Sequence, residues 1–353
     1  MTPARATKPG PLLLPNNQFA HFYRGGDRIA ALRGGPGGPR RPEEWIASAT
    51  TRFAHVRQGL SVLADGSLLR ERVLTDPVAW LGPDHVQRYG GYGMELLVKL
   101  IDAGQRLPVH LHPDRAFARE HLGLSHGKTE AWHVLQAEPG AVVGLGFREP
   151  VDAAQVAGWV RAHDTGALVA AVHQLEVSAG ESVLVPAGTP HFIGAGVLVM
   201  ELQEPTDLSI LLEWEGMEID GDTQGHLGLG FDVALGALDR RAWSERDLGR
   251  VRCPAPADAE AGGLMSLLPG GASAYFRLHR LAPRGTSVAV PPGLGVLLVV
   301  DGEGEVETAE AGTHAVRRGD ALLLPWAAGN WAIAGAVTAL LARPPAPDAP
   351  QGR

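Results

Sequence analysis

Short apolar runs, each cut off within a few residues by glycine or proline, narrow what this chain can fold into more than any other feature. Runs of this kind stand at residues 95–101, 130–135, 142–147 and 183–185. Segments this short, bounded by turn formers, are strands of a barrel or sandwich rather than helices. The 46 glycines and 27 prolines among 353 residues supply the many turns such a fold needs. The pattern predicts a mainly β protein over residues 53–214, interrupted by a small helical insertion near 152–172. There Val156, Trp159 and Val160 recur at helical spacing, and Gly166 precedes a second short helix at 168–172. A glycine-rich stretch at 215–230 and a helix at 231–238 follow, then a proline- and alanine-rich segment at 254–263.

Beyond it, strand-like runs return at 275–281, 296–300, 321–324 and 337–341, as expected of a second jelly roll. The turn Gly302-Glu303-Gly304 and the segment RGDALLLP at 318–325 echo AGESVLVP at 179–186. The expected organisation is a catalytic domain at 1–240, a linker at 241–263, a degenerate second jelly roll at 264–343 and a disordered tail at 344–353. A formal charge of −8, with basic pairs only at Arg40-Arg41, Arg240-Arg241 and Arg317-Arg318, argues against nucleic acid as a partner. The single cysteine, Cys253, allows no internal disulfide and no cysteine-cluster metal site, so a reducing cytoplasm is expected. No signal peptide and no membrane span are expected.

The chemistry concentrates in three motifs. In LPVHLHP at 107–113, strand alternation puts His110 and His112 on one face. In GKTEAW at 127–132, Glu130 opens the next strong strand, and in VPAGTPHF at 185–192 a proline-bounded turn delivers His191 from a third strand. Three imidazoles and one carboxylate suit a divalent ion such as zinc, and manganese, iron, cobalt or nickel can use the same set. Where the first half has His191, the second has Ala327, Ala328, Gly329 and Asn330 with no preceding His pair, so that half is expected to be structural and metal-free.

Taken in order, PEEWIAS at 42–48, ELLVKLIDA at 95–103, HLHPD, GKTEAW, VPAGTPH and VLVMELQEPTD at 197–207 resemble the type I mannose-6-phosphate isomerases of the cupin superfamily, particularly the short bacterial form. The resemblance implies two cupin barrels and a zinc enzyme interconverting an aldose phosphate and a ketose phosphate through an enediol. His112, Glu130 and His191 fall on the family's ligand positions, whereas His110 stands where glutamine is usual. Lys99 and Lys128 match active-site lysines, and Glu201 matches a carboxylate after the last ligand. Glu201 is the first candidate for the base, since Val197, Val199, Glu201 and Gln203 share one strand face; Lys128 and His126 are alternatives. Lys99, Lys128, Trp45 and Arg106 are the expected substrate contacts. Leu211 replaces the family's catalytic arginine and Pro108 a serine beside the substrate. Either another cation, among Lys99, Lys128, Arg106 and Arg24, serves instead, or the substrate is an unphosphorylated or differently charged sugar. A non-catalytic sugar-binding cupin and an iron oxygenase are the competing classes, and the protein is expected to be a monomer or homodimer.

Overall fold

The computed structural model describes residues 9–91, 93–257, 262–346 and 348–349. It is mainly β, with three antiparallel sheets. A six-stranded sheet runs in the order Arg252–Cys253, Ser182–Val185, Glu130–Ala137, Val197–Gln203, Leu97–Asp102 and Glu43–Ile46. Facing it is a five-stranded sheet ordered Ile210–Leu211, His110–Leu111, His191–Ile193, Val142–Phe147 and Val172–Glu176. An eight-stranded sheet is built from the C-terminal part and dominated by the long strands Gly295–Thr308 and Trp331–Arg343.

Every residue of Leu97–Asp102 and Val197–Gln203 is buried, because both faces of the six-stranded sheet are covered. One face carries Val98, Leu100, Ala131, Met200 and Leu202, which join Leu278, Leu298 and Leu340 of the eight-stranded sheet in one continuous apolar cluster. The other face looks toward the five-stranded sheet and holds polar residues. The outer side of the five-stranded sheet is closed by the helices Ala153–Ala162 and Thr165–Ala171, whose Val156, Val160 and Leu168 meet Phe147, Val172 and Phe192. Asp152 caps the first of these helices by accepting from the Gln155 N–H.

Four features depart from the sequence reading. Residues 69–89, inside the span read as mainly β, form three short helices, Leu69–Thr75, Pro77–Leu81 and Pro83–Tyr89. Two of them start on a proline, whose fixed φ suits a first helical turn, and the Asp76 carboxylate accepts from the Ala79 N–H at 3.1 Å. The Gly302-Glu303-Gly304 segment is not a turn; it lies inside the strand Gly295–Thr308, just past a register shift between Val299 and Asp301. The strand Leu12–Leu13 pairs with Leu322 and Leu323, so the N-terminal segment covers an edge of the C-terminal sheet. Within the expected linker at 241–263, Glu245–Val251 is a helix with a Ser244/Asp247 capping box, and Arg252–Cys253 pairs with Ser182 and Val183. The expected tail at 344–353 falls partly outside the described residues.

Among the described residues no helix is long and apolar enough to cross a membrane.

Candidate active site

The site lies between the six- and five-stranded sheets. His110 and His191 are direct cross-strand partners. His112 follows its strand, and the ligand nitrogens of the three histidines all lie within 4.8 Å of one another. The turn carrying His191 is drawn in by the Gly188 N–H, which donates to the His112 carbonyl at 2.7 Å. Gly188 has φ +84°, a left-handed conformation that favours glycine, and a Cβ there would stand 3.0 Å from the Ala237 carbonyl.

Each imidazole is fixed by its Nδ1–H. His110 donates to the Pro108 carbonyl at 2.9 Å, His112 to Leu208 at 2.7 Å and His191 to Thr189 at 2.8 Å. That tautomer leaves every Nε2 lone pair free. Burial pushes the His112 and His191 imidazoles down to about 3, and that of His110 well below its ordinary value, so all three are neutral. From the opposite sheet, Glu130 places Oε2 2.9 Å from His112 Nε2 and Oε1 3.4 Å from His191 Nε2. Burial alone would raise its pKa, but the Lys128 ammonium beside it holds it well below the usual carboxylate range. Apart from the Lys128 ammonium, electron-pair donors thus face one another, and the buried His191 Nε2 has no hydrogen-bond partner. A bound cation would give those lone pairs a partner. Lys128 Nζ, 2.9 Å from both His112 Nε2 and Glu130 Oε2, supplies one positive charge. The donor set fits a divalent metal ion held by His110, His112, His191 and Glu130.

Beside this cluster, one row of directly opposed residues crosses the six-stranded sheet: Trp45 opposite Lys99, Lys99 opposite Glu201, Glu201 opposite Trp132. Register forces all four to the same face. The Trp132 indole N–H lies 2.9 Å from Glu130 Oε1 and 3.2 Å from Glu201 Oε2, tying the two carboxylates together. Glu201 is buried, and its pKa is pushed up to about 7 by burial and then by the neighbouring Glu130 charge. Lys99 is equally buried, 3.5 Å from Glu43, 3.6 Å from Glu201 and 3.8 Å from Asp207. Burial opposes its charge, yet Glu43 and then Glu201 hold its pKa above the ordinary lysine value.

A cavity of about 500 Å³ opens onto these groups; His110, Glu130, Glu201, Lys99 and Lys128 line it, as do Pro108 and Leu211. Four expectations change. Trp45 is fully buried and does not line the cavity; its ring lies under Lys99, 4.5 Å from Nζ, and its N–H donates to Glu43 at 2.7 Å, so it positions charged groups instead of meeting a ligand. Arg106 does not line it either, because its guanidinium is drawn to Glu213 at 2.6 Å and to the Leu107 carbonyl at 2.8 Å. Arg24 is bonded to Gln105 at 2.8 Å, and His126 to Glu95 at 2.7 Å, both outside the cavity lining.

The structure adds lining residues that the motifs alone did not single out: His21, Tyr23, Glu43, Arg52 and Asp207. Glu43 accepts from the Tyr23 hydroxyl and from Trp45. It stands two residues before Trp45, so strand alternation could have placed it on the same face. Asp207 belongs to the QEPTD segment already singled out. Arg52 carries no comparable signal.

No family model matches the sequence. A mannose-6-phosphate isomerase of Streptococcus mutans is 30% identical over 244 residues, covering 68% of this chain and 71% of its own. One of Bacillus subtilis is 25% identical over 289 residues, covering 80% and 85%. Among solved structures, the mannose 6-phosphate isomerase from Bacillus subtilis superposes with a TM-score of 0.68 at 20% identity, over 95% of this chain and 100% of that one. An alanine variant of the phosphomannose isomerase from Salmonella typhimurium gives 0.71 at 15% identity, over 96% and 100%. The structural matches establish a shared fold, and with the sequence relationship they place this chain in the mannose-6-phosphate isomerase family, a family of aldose–ketose isomerases.

Proposed function

We propose that this protein interconverts an aldose phosphate and a ketose phosphate, mannose 6-phosphate and fructose 6-phosphate being the pair its relatives suggest. The observation that carries this reading is the juxtaposition, across one cavity, of a donor set for a divalent ion and a carboxylate, Glu201, whose pKa is pushed up to about 7. His110, His112, His191 and Glu130 hold the ion, zinc fitting the set and manganese, iron, cobalt or nickel being alternatives. When bound it supplies Lewis-acid stabilisation of charge developing on the substrate oxygens. Glu201 takes the proton from the carbon beside the carbonyl and returns it to the neighbouring carbon, and a base with a pKa near the working pH does both well. Lys99, opposite Glu201, balances the carboxylate once it is ionised. Lys128 stands beside the ligands, placed to hold a proton near a substrate oxygen. Around this centre we infer two jelly-roll barrels. The first holds the site, and the second, whose cluster of Leu297, Val299, Val306, Ile333 and Leu341 is wholly apolar, is structural. We infer a cytoplasmic protein acting as a monomer or homodimer.

The metal-loaded protein is expected to isomerise mannose 6-phosphate, followed by coupled detection of fructose 6-phosphate. Glu201→Gln should lower kcat by roughly 100-fold or more while bound metal, measured by elemental analysis, stays constant. Because the base must be ionised, the rate should rise as pH increases toward 7; a bound dication favours the ionised carboxylate, so the acid limb lies at or below that pH. No turnover on any sugar phosphate would sink the isomerase reading, and unchanged turnover in Glu201→Gln would move the base to Lys128.

A further inference from the structure

The cavity's charges are unevenly paired. Three of its lining side chains, Lys99, Lys128 and Arg52, are lysine or arginine. Lys99 is surrounded by Glu43, Glu201 and Asp207, and Lys128 is paired with Glu130. Both are therefore committed to the protein's own carboxylates. Arg52 differs. Its one side-chain partner among the described residues is a neutral amide, Gln58 Oε1, 3.2 Å from Nη1. A guanidinium offers five N–H donors in a planar fork, so most of this one's capacity has no protein acceptor among the described residues.

Arg52 is nonetheless held in place. Its backbone N–H donates to the Gln58 carbonyl at 2.8 Å and its carbonyl accepts from the His55 N–H at 3.0 Å, which closes the loop on itself. The next residue, Phe53, donates its N–H to Asp207 Oδ2 at 3.0 Å, pinning the loop to the wall that also faces Lys99. His55 lines the cavity beside Arg52. Within the cavity, His21 has its pKa lowered to about 4, mainly by burial, with the positive charge of Arg52 adding to the effect. Leu211 and Pro108 also line the cavity, without bringing any charge.

We propose that Arg52, with His55 beside it, forms the subsite that binds the phosphate of the sugar phosphate, placing the phosphate at the loop wall and the reacting carbons toward the metal ligands and Glu201. This inference rests on the isomerase reading for the identity of the substrate. A phosphate monoester near neutral pH carries most of two negative charges and accepts paired, charge-assisted hydrogen bonds that a guanidinium is shaped to give. The carboxylates around Lys99 would repel it, and Lys128 already serves Glu130. The loop therefore fixes which end of the substrate enters first and selects phosphorylated over free sugar.

The test compares the metal-loaded wild type with Arg52→Ala, Arg52→Lys and, as a control, Arg57→Ala, an exposed position on the same loop that does not line the cavity. Arg52→Ala should raise KM for mannose 6-phosphate by about 10- to 100-fold, the range expected for losing charge-assisted hydrogen bonds, with a much smaller change in kcat. Arg52→Lys should recover part of the loss, and Arg57→Ala should match the wild type. Calorimetric titration with inorganic phosphate supplies a readout independent of turnover: wild type should bind it, and Arg52→Ala should bind it more weakly by a similar factor. Equal phosphate affinity and equal KM in wild type and Arg52→Ala would overturn the subsite, as would failure of the wild type to bind phosphate. If the wild type and Arg52→Ala differ in phosphate affinity but neither isomerises a sugar phosphate, the subsite stands and the isomerase reading falls.

Discussion

His191 is completely buried, its Nδ1–H is committed to the Thr189 carbonyl and its Nε2 meets only other electron-pair donors. A neutral nitrogen in that setting gains nothing from the protein alone, and a bound ion would give it a partner. His191→Ala should therefore reduce bound metal from about one ion per chain to a small fraction, by elemental analysis, while circular dichroism still reports a folded β protein. Full metal retention in a folded variant would remove His191 from the ligand set. This centre was legible from sequence because each residue's direction is set locally: two histidines share a face by strand alternation, and a proline-bounded turn presents the third. The pairing state of a charge is not local. Arg106 had the right charge but Glu213 claims it, whereas Arg52 became visible as a cavity cation only once the fold showed which carboxylates Lys99 and Lys128 had taken.

Between residue and fold, the elements explain where the pattern misled. Strands in the first half were recognisable from short apolar runs, but helices at 69–89 hid behind prolines that start helices as readily as they end strands. Gly302 and Gly304 resemble a turn in sequence, yet they exist because two long strands approach closely. A Cβ on Gly302 would lie 1.9 Å from the Ala336 carbonyl oxygen, and its φ is +73°. Gly285, with φ +75°, has nothing within 4 Å of such a Cβ. The two sites therefore separate backbone strain from steric collision. Gly285→Ala should cost about 1 kcal/mol from the left-handed conformation alone. Gly302→Ala adds a backbone clash and should cost at least about 2 kcal/mol more, read from denaturant midpoints at a common slope. Equal costs would mean that the strand pair yields easily and that the glycine is there for its φ alone.

At the scale of the whole molecule, the sequence divides the chain into halves, but the interior does not. The apolar cluster formed by Leu184, Leu198, Met200 and Leu202 of the site-bearing half continues without a break into Leu278, Leu298, Leu323 and Leu340. The N-terminal strand Leu12–Leu13 adds to the far sheet, and Arg33 joins Glu44 of the near half to the Gly319 carbonyl of the far one. The sheet that carries Glu130, Lys99 and Glu201 on its polar face is thus backed by the C-terminal sheet on its apolar face, and the site's geometry depends on that backing. Two halves with separate cores would unfold in two steps, whereas a shared core couples them. Scanning calorimetry should give a single transition, with loss of bound metal and loss of β signal at the same temperature. Ending the chain after residue 257 should expose the Leu184, Leu198, Met200 and Leu202 face and yield an aggregating product without a metal site. Two resolved transitions, or a soluble truncated protein that still binds one metal ion, would show that the first half folds alone and that the second is an appendage to it.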